Sequence, residues 1–183
     1  MAQAQTPRPV KLIVGMLCKD ESLFGRAEQL MEEFWGAIDI DSAVMPFTHT
    51  DYYAQEMGAP LLRRFVAFAE LIDPGCLADV KHKSNALEIS LGNEPSGRAS
   101  GLSRPINLDP GYVEPSKLIL ATTKNYSHRI YIGRSMYAEA TLQYHQGRWQ
   151  GWPYTYPDYA NGAYDDFFSR VRRQLMEDYS SQK

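Results

Sequence analysis

The chain has 183 residues, two cysteines and a formal net charge of −3. This length fits one domain that buries roughly two thirds of its unfolded surface, so no disulfide is needed for stability. An acidic balance argues against binding a nucleic-acid duplex. The basic clusters Arg63-Arg64, Lys81-His82-Lys83 and Arg170 with Arg172-Arg173 are therefore predicted to be solvated faces of elements.

Location follows from the same features. Cys18 and Cys76 stand beside apolar residues without a Cys-x-x-Cys spacing, which predicts two buried thiols in a reducing compartment. The sequence contains no signal-peptide pattern and no apolar run approaching the ~20 residues that span a bilayer. We therefore expect a cytoplasmic protein with no membrane partner.

The N-terminal part alternates patterns typical of strands and helices. In chain order the predicted elements are a disordered tail at 1–8, a buried strand at 10–18, a helix after Asp20, strands at 38–47 and 62–71, a helix at about 75–91 and a loop at 92–104. The connection at 48–60 is polar and has room for one helical turn.

The C-terminal part is richer in turn signals. Its predicted elements are a strand at 105–108, a turn at Asp109-Pro110-Gly111, a helix from Pro115 through Ala121, strands at 128–132 and 137–145, a tight turn at Gln146-Gly147 and a helix at about 162–179. The order β-α-β-β-α-β predicts a ferredoxin-like core. We thus expect one α+β domain over 9–183, with a mixed, mainly antiparallel sheet, helices packed on it, and a C-terminal β-hairpin and helix.

The hairpin around Gly133 allows two registers, and composition favours one of them. Pairing Arg129 with Glu139 and Tyr131 with Tyr137 separates an apolar face from a polar face, whereas the other register puts Ile130 opposite Glu139. The expected polar face is Arg129, Tyr131, Tyr137, Glu139 and Thr141, and the expected apolar face is His128, Ile130, Ile132, Ala138, Ala140 and Leu142. Two interpretations stay open, an exposed ion pair worth at most ~1 kcal/mol or a ligand-facing patch.

The residues around this hairpin are the candidates for chemistry. Histidine exchanges protons near neutral pH, so His128 could be a general base or a hydrogen-bond donor to a phosphate. It could equally be a histidine at the edge of the core with no chemical role. Asp109 is typical of a turn former, and a nearby cation or carboxylate would be needed to give it a catalytic role. The aromatic segment 152–159 is predicted to be an ordered, non-helical loop that either covers a core edge or walls a pocket for a planar ligand.

Three specific chemistries find little support. The oxygen and nitrogen ligands His49, Asp51, Asp109, His128, Glu139 and His145 lack a metal-binding spacing, and only His49-x-Asp51 forms a close pair, so we predict no metal. No Gly-x-Ser-x-Gly elbow is present. Thr122-Thr123-Lys124-Asn125 is similar to a GTPase base-recognition element, but Tyr126 replaces the acidic residue and no phosphate-binding loop exists.

Several motifs together resemble one bacterial family, the domain of unknown function 4416. They are Asp51-Tyr52-Tyr53-x-x-Glu56-Met57-Gly58, Asn107-Leu108-Asp109-Pro110-Gly111-Tyr112, Ala121-Thr122-Thr123-Lys124, Ser127-His128-Arg129-Ile130-Tyr131 and Thr155-Tyr156-Pro157-Asp158-Tyr159. The resemblance covers residues 9 to 175 and implies one unbroken domain. It implies no activity and no catalytic residues.

The residues alone support two functions. The first is binding or processing of a small anionic metabolite, with a nucleotide among the candidates, in a polar, tyrosine-lined pocket. Its predicted catalytic residues are Asp109, His128 and Glu139, and its predicted ligand-binding residues are Lys124, Arg129, Tyr131, Tyr112 and Lys117. The alternative is a non-enzymatic interaction or assembly module that uses the loop at 152–159. The cofactor is unknown, and homo-oligomerisation stays open.

Overall fold

A computed structural model describes residues 3–48 and 54–181. The described helices are α1 (Ser22–Trp35), α2 (Ala54–Met57), α3 (Leu77–Asn93), α4 (Pro95–Ala99), α5 (Pro157–Ala160) and α6 (Asp165–Ser181). The described strands are β1 (Val10–Cys18), β2 (Ile38–Asp41), β3 (Met45–Phe47), β4 (Leu61–Ile72), β5 (Ile106–Glu114), β6 (Lys117–Thr122), β7 (Ile130–Gly133), β8 (Met136–His145) and β9 (Arg148–Gly151).

The strands form one open sheet in the order β2-β4-β1-β5-β6-β8-β7, with β3 beside β4 and β9 beside β8. All of the described pairs are antiparallel. The succession β1-α1-β2-β4-α3-β5 and the spatial order β2-β4-β1-β5 are those of a ferredoxin-like core. The predicted α+β single domain is confirmed, and the sheet continues past that core through β6, β8 and β7.

Helices cover both faces of the sheet. On one face, α1 and α3 pack against alternate residues of β1, including Leu12, Val14 and Met16. On the other face, α6 packs against Ile13 of β1 and Phe65 of β4. Every residue of β1 is buried, as expected for a central strand covered on both sides. Within the two described stretches, no helix is long and apolar enough to cross a membrane.

The segment Asp109-Pro110-Gly111 lies inside β5, so the predicted turn is wrong. Asp109 pairs with Gly15 and Pro110 with Val14 on β1, in an unbroken register from Ile106 to Val113. Asp, Pro and Gly favour turns when only local chemistry acts. Here tertiary pairing overrides that preference. The Pro110 nitrogen, which has no hydrogen to donate, faces away from β1, so it does not interrupt the pairing with that strand.

Other predicted boundaries are also corrected. Pro115 lies in the β5-β6 turn, and the helix predicted after it is strand β6, because its apolar residues pair on both sides. The strand predicted at 38–47 is divided into β2 and β3, and the loop predicted at 92–104 contains the end of α3 and all of α4. Part of the 152–159 segment forms α5, with Pro157 at its first turn. Residues 3–9 have no regular structure, and the disorder predicted for the tail stays a prediction.

The two cysteines differ in exposure, which corrects the prediction that both are buried. Cys18 lies in the core, and burial, supported by the charges of Asp20 and Glu21, raises the pKa of its thiol to about 12. Cys76 is exposed. Because the thiolate is the reactive form, we expect a disulfide reagent such as dithiobis-nitrobenzoate to modify one thiol in the native protein and two after unfolding. Cys76→Ser should abolish the native reaction, and rapid native labelling of this variant would contradict the burial of Cys18.

Candidate functional site

The sheet opens between β5 and β6. The described β5-β6 ladder covers Gly111 to Glu114 of β5 and ends before Leu108. The Leu108 N–H donates instead to Glu88 Oε1 at 2.7 Å, and its carbonyl accepts from Lys81 Nζ at 3.0 Å. Side chains of α3 thus replace the neighbouring strand, which satisfies buried backbone groups that would otherwise be costly.

A cavity of about 740 Å³ occupies this opening. Its volume is in the range of small-molecule sites. Five basic and four acidic side chains line it, although the whole chain is acidic. The basic residues are Arg63, Lys81, Arg104, Lys124 and Arg129; the acidic residues are Glu88, Asp109, Glu139 and Asp158; apolar walls include Phe47, Ile89, Leu120, Pro157 and Tyr159.

Arg63 lies at the buried end of the cavity. It is 4% exposed, and its Nη2 lies 3.4 Å from Asp158 Oδ2, a long hydrogen bond. Its Nε and Nη1 have no hydrogen-bond acceptor among the described residues. The guanidinium is surrounded by the rings of Phe47, Phe65, Tyr159 and Tyr164, whose centroids lie 4.9 to 5.8 Å away. Aromatic faces attract a cation but leave most of its hydrogen-bonding capacity unused.

A polar network joins α3 to the open side of β5. Lys81 Nζ lies 3.4 Å from Asp109 Oδ1, and Asn107 Nδ2 donates to Asp109 Oδ2 at 2.6 Å. Arg104 donates to the Asn107 side-chain oxygen and, at 2.9 Å, to Glu88 Oε2. The network holds charged groups that would be costly to bury singly.

The pKa values of two carboxyl groups in this network are shifted in opposite directions. Burial would raise the pKa of Asp109, but Lys81, Arg63 and the Asn107 hydrogen bond outweigh it and lower that pKa below its usual value. Burial raises the pKa of Glu88, and the charges of Arg104 and Lys81 only partly offset it. Asp109 is therefore ionised at neutral pH.

Asp109 should make the free energy of unfolding depend on pH in the acidic range. Because its pKa is lower in the folded chain than the unfolded value of about 3.9, ionisation stabilises the folded state above that value. The contribution is lost as pH falls through the folded pKa. We expect Asp109→Asn to lower the free energy of unfolding at neutral pH, and its difference from wild type to shrink below about pH 4. Urea unfolding across this range measures the difference, and a constant difference would contradict the assignment.

Glu139 organises the open end of the cavity. Arg129 Nε donates to its Oε2 at 2.8 Å, His128 Nε2 lies 3.1 Å from the same oxygen, and Thr141 Oγ1 donates to Oε1 at 3.2 Å. The Glu139 side chain is 4% exposed, so the exposed ion pair considered from the sequence is not what forms. Arg129 also donates to the Lys124 carbonyl and, at 3.4 Å, to the Tyr156 hydroxyl.

The hairpin register agrees with the prediction, but one of the two expected faces does not. Tyr131 pairs with Tyr137 and Ile130 with Ala138. Ile130 is nevertheless 73% exposed, because β7 is an edge strand. His128 precedes β7 and turns to Glu139, where it stacks on the Tyr154 ring at 4.1 Å. Ile130 therefore lies beside Ala138 as predicted but is not buried, and the prediction that His128 belongs to the apolar face is wrong.

The cavity brings together some of the predicted site residues. Asp109, Lys124, Arg129 and Glu139 line it. His128 supports Glu139 without belonging to the lining. The remaining three lie elsewhere: Tyr112 packs with Ile119 and Ala121, Lys117 pairs with Glu114, and Tyr131 packs edge-on against Tyr137.

Sequence reasoning missed the buried cations. Arg63 and Lys81 were expected on solvated faces, yet each is 4% exposed. A signal was available for both. Arg63 shares a strand face with Phe65, and Lys81 is one turn after Leu77 on the buried side of α3. No comparable signal exists for Arg104, Glu88 and Asp158, because they come from segments far apart in the sequence that meet only at the cavity.

No group of three or more His, Cys, Asp or Glu residues that could hold a metal ion occurs in the part of the chain that the structure describes. The predicted close pair His49 and Asp51 lies outside that part. Asp109 and Glu139, two of the other candidate ligands, are bound to cations of the protein.

The sequence profile of the domain of unknown function DUF4416 matches residues 8–175. The chain belongs to this family. The match includes all of the cavity-lining residues of this DUF4416 protein. No curated protein and no solved structure matches the chain significantly.

Proposed function

We propose that this DUF4416 protein binds a small anionic metabolite, with a nucleotide among the candidates, in the cavity between β5 and β6. The observation that carries the proposal is the buried Arg63, whose Nε and Nη1 lack acceptors among the described residues. Arginine presents five donors and stays charged. A phosphate or carboxylate oxygen near this guanidinium would supply acceptors that the aromatic rings do not.

The remaining charges support an anion. Arg63 and Lys81 lie at the buried end of the cavity. At its mouth, Lys124 is exposed and Arg129 donates to the hydroxyl of the exposed Tyr156. Basic side chains in a cleft with low-dielectric walls focus the field and attract anions. Asp109 is the predicted catalytic residue that would touch a bound molecule. Glu139 and His128 would act as positioning residues for Arg129.

The alternative function has weaker support. Trp152 and Tyr156 are exposed, as an interaction surface would require, but Thr155, Asp158 and Tyr159 of the same segment are buried. The Thr155 hydroxyl also donates to the Thr141 carbonyl at 2.6 Å. These contacts favour a cavity wall over a surface module.

Thermal denaturation tests the proposal. A ligand that binds only the folded state adds about 2.7 kcal/mol of stability at one hundred times its dissociation constant. We expect at least one of inorganic phosphate, pyrophosphate and adenosine monophosphate, at millimolar concentration, to raise the melting temperature. The absence of a shift with all three would contradict the proposal.

Matched variants locate the binding. Lys124→Gln at the mouth should reduce the ligand-induced shift. Lys83→Gln removes the same charge from a residue of α3 that does not line the cavity and whose amine packs on the Phe34 ring of α1, so it should leave the shift unchanged. Equal reductions in the two variants would show general charge attraction instead of binding in the cavity.

A further inference from the structure

The four carboxylates of the cavity differ in how much of each the protein already uses. The side chains of Glu139, Asp158 and Glu88 are 4%, 6% and 10% exposed. Each accepts at least two hydrogen bonds from the protein. These three groups are committed to holding Arg129, Arg63 and Arg104 in place.

Asp109 is different. Its side chain is 31% exposed and lines the cavity. The described residues give it one short hydrogen bond, from Asn107, and a longer contact with Lys81. A carboxylate offers about four acceptor positions. Asp109 therefore presents an ionised group with unused acceptor capacity to whatever occupies the cavity.

This carboxylate restricts the kind of anion that fits. A ligand without hydrogen-bond donors would place its negative charge near Asp109 and gain nothing in return. An ammonium group would bind the carboxylate but would meet Lys81 Nζ, only 3.4 Å from Asp109 Oδ1. A neutral hydroxyl group satisfies Asp109 without repulsion from the lysine.

We infer that the cavity selects a hydroxylated anion, of the sugar phosphate or sugar acid class, and that Asp109 accepts hydrogen bonds from its hydroxyl groups. The inference rests on the proposed function and names its ligand class. The basic side chains bind the anionic group, and Asp109 rejects anions that carry no donor. A site built to bind a hydroxyl discriminates strongly against the analogue that lacks it, because its polar group is then left unpaired.

Calorimetric titration of the full-length protein with matched six-carbon probes tests this. The phosphate probes are mannitol phosphate and hexyl phosphate, and the carboxylate probes are gluconate and hexanoate. We expect the hydroxylated member of at least one pair to bind about tenfold more tightly or better, since a hydrogen bond to a charged group contributes about 1.5–3 kcal/mol. The pair that responds identifies the anionic group.

Asp109→Asn should weaken binding of the hydroxylated probe by about tenfold and leave or improve binding of its hydroxyl-free partner, since a negative charge is removed. Asp166→Asn, at the exposed start of α6, removes the same charge and should change neither. The wild-type comparison needs no variant to fold. If the hydroxyl-free probes bind as tightly as the hydroxylated ones, the inference fails and the proposed function stands. If none of the four binds, the inference fails, and the thermal shift with phosphate, pyrophosphate and adenosine monophosphate decides the proposed function separately.

Discussion

Arg63→Met is expected to lower the free energy of unfolding by about 3–5 kcal/mol, because it leaves Asp158 buried without its cation. The Asp158 side chain is 6% exposed, and the Tyr164 hydroxyl, at 3.1 Å, would be one of its few remaining hydrogen-bond donors. The variant also removes the guanidinium from its aromatic surroundings. Urea unfolding followed by circular dichroism measures the loss.

The neighbouring arginine provides the control. Arg64 points to the opposite face of β4, where it pairs with Glu28 and Asp41 and is partly exposed. Partly exposed ion pairs contribute about 0–1 kcal/mol, so Arg64→Met should cost much less. Adding Asp158→Asn to Arg63→Met should recover part of the loss, because the unpaired charge is removed. Equal losses in the two arginine variants would show that the buried pair has no special role.

Gly111→Ala is expected to lower the free energy of unfolding by about 3 kcal/mol or more. A Cβ atom at this position would lie 2.2 Å from the carbonyl oxygen of Ile119 and 2.6 Å from a methyl carbon of Leu120. The Ile119 contact is with backbone, so a side-chain rotation cannot relieve it. Overpacking a close contact costs about 1–3 kcal/mol and sometimes more, and here relief requires β6 to move away from β5.

Gly111→Ala should also change the shape of the cavity. Gly111 is the pairing position on β5 closest to the opening, opposite Leu120 on β6. Displacing β6 would shift Leu120 and Ala121, which line the cavity, so ligand binding should weaken with stability. Gly25→Ala is the control: its Cβ meets nothing within 4 Å in α1, and alanine should stabilise the helix by up to ~1 kcal/mol. Similar melting temperatures for Gly111→Ala and wild type would contradict the close approach.

Hydrophobic periodicity was sufficient to predict the helices that bury one apolar face and the strands that are buried along most of their length. The predictions for β1, β4, α3 and α6 are confirmed within a few residues, because their apolar spacing reflects burial that is regular along the chain. The β-α-β-β-α-β order then led to the ferredoxin-like core. Composition also selected the register that sets Tyr131 opposite Tyr137.

The turn prediction was wrong where pairing with a strand distant in sequence determined the backbone conformation. Asp109-Pro110-Gly111 has the composition of a turn, yet pairing with β1 keeps it extended. Each residue also has a use that only the assembled sheet reveals. Asp109 faces the cavity, Pro110 lacks the N–H that would point into the opening, and Gly111 permits the approach of β6.

The sequence by itself determined the fold class, the family and the contact between Arg129 and Glu139, because these depend on residues close in the chain or on regular spacing. Tertiary structure alone decided where the cavity lies and which charges line it. Arg63 and Asp158 are 95 residues apart in sequence, and Lys81 and Asp109 are 28 apart. The charges of Arg63, Asp158 and Lys81 are buried because the folded chain supplies a partner for each, and no local pattern encodes a partner that folding brings from so far away.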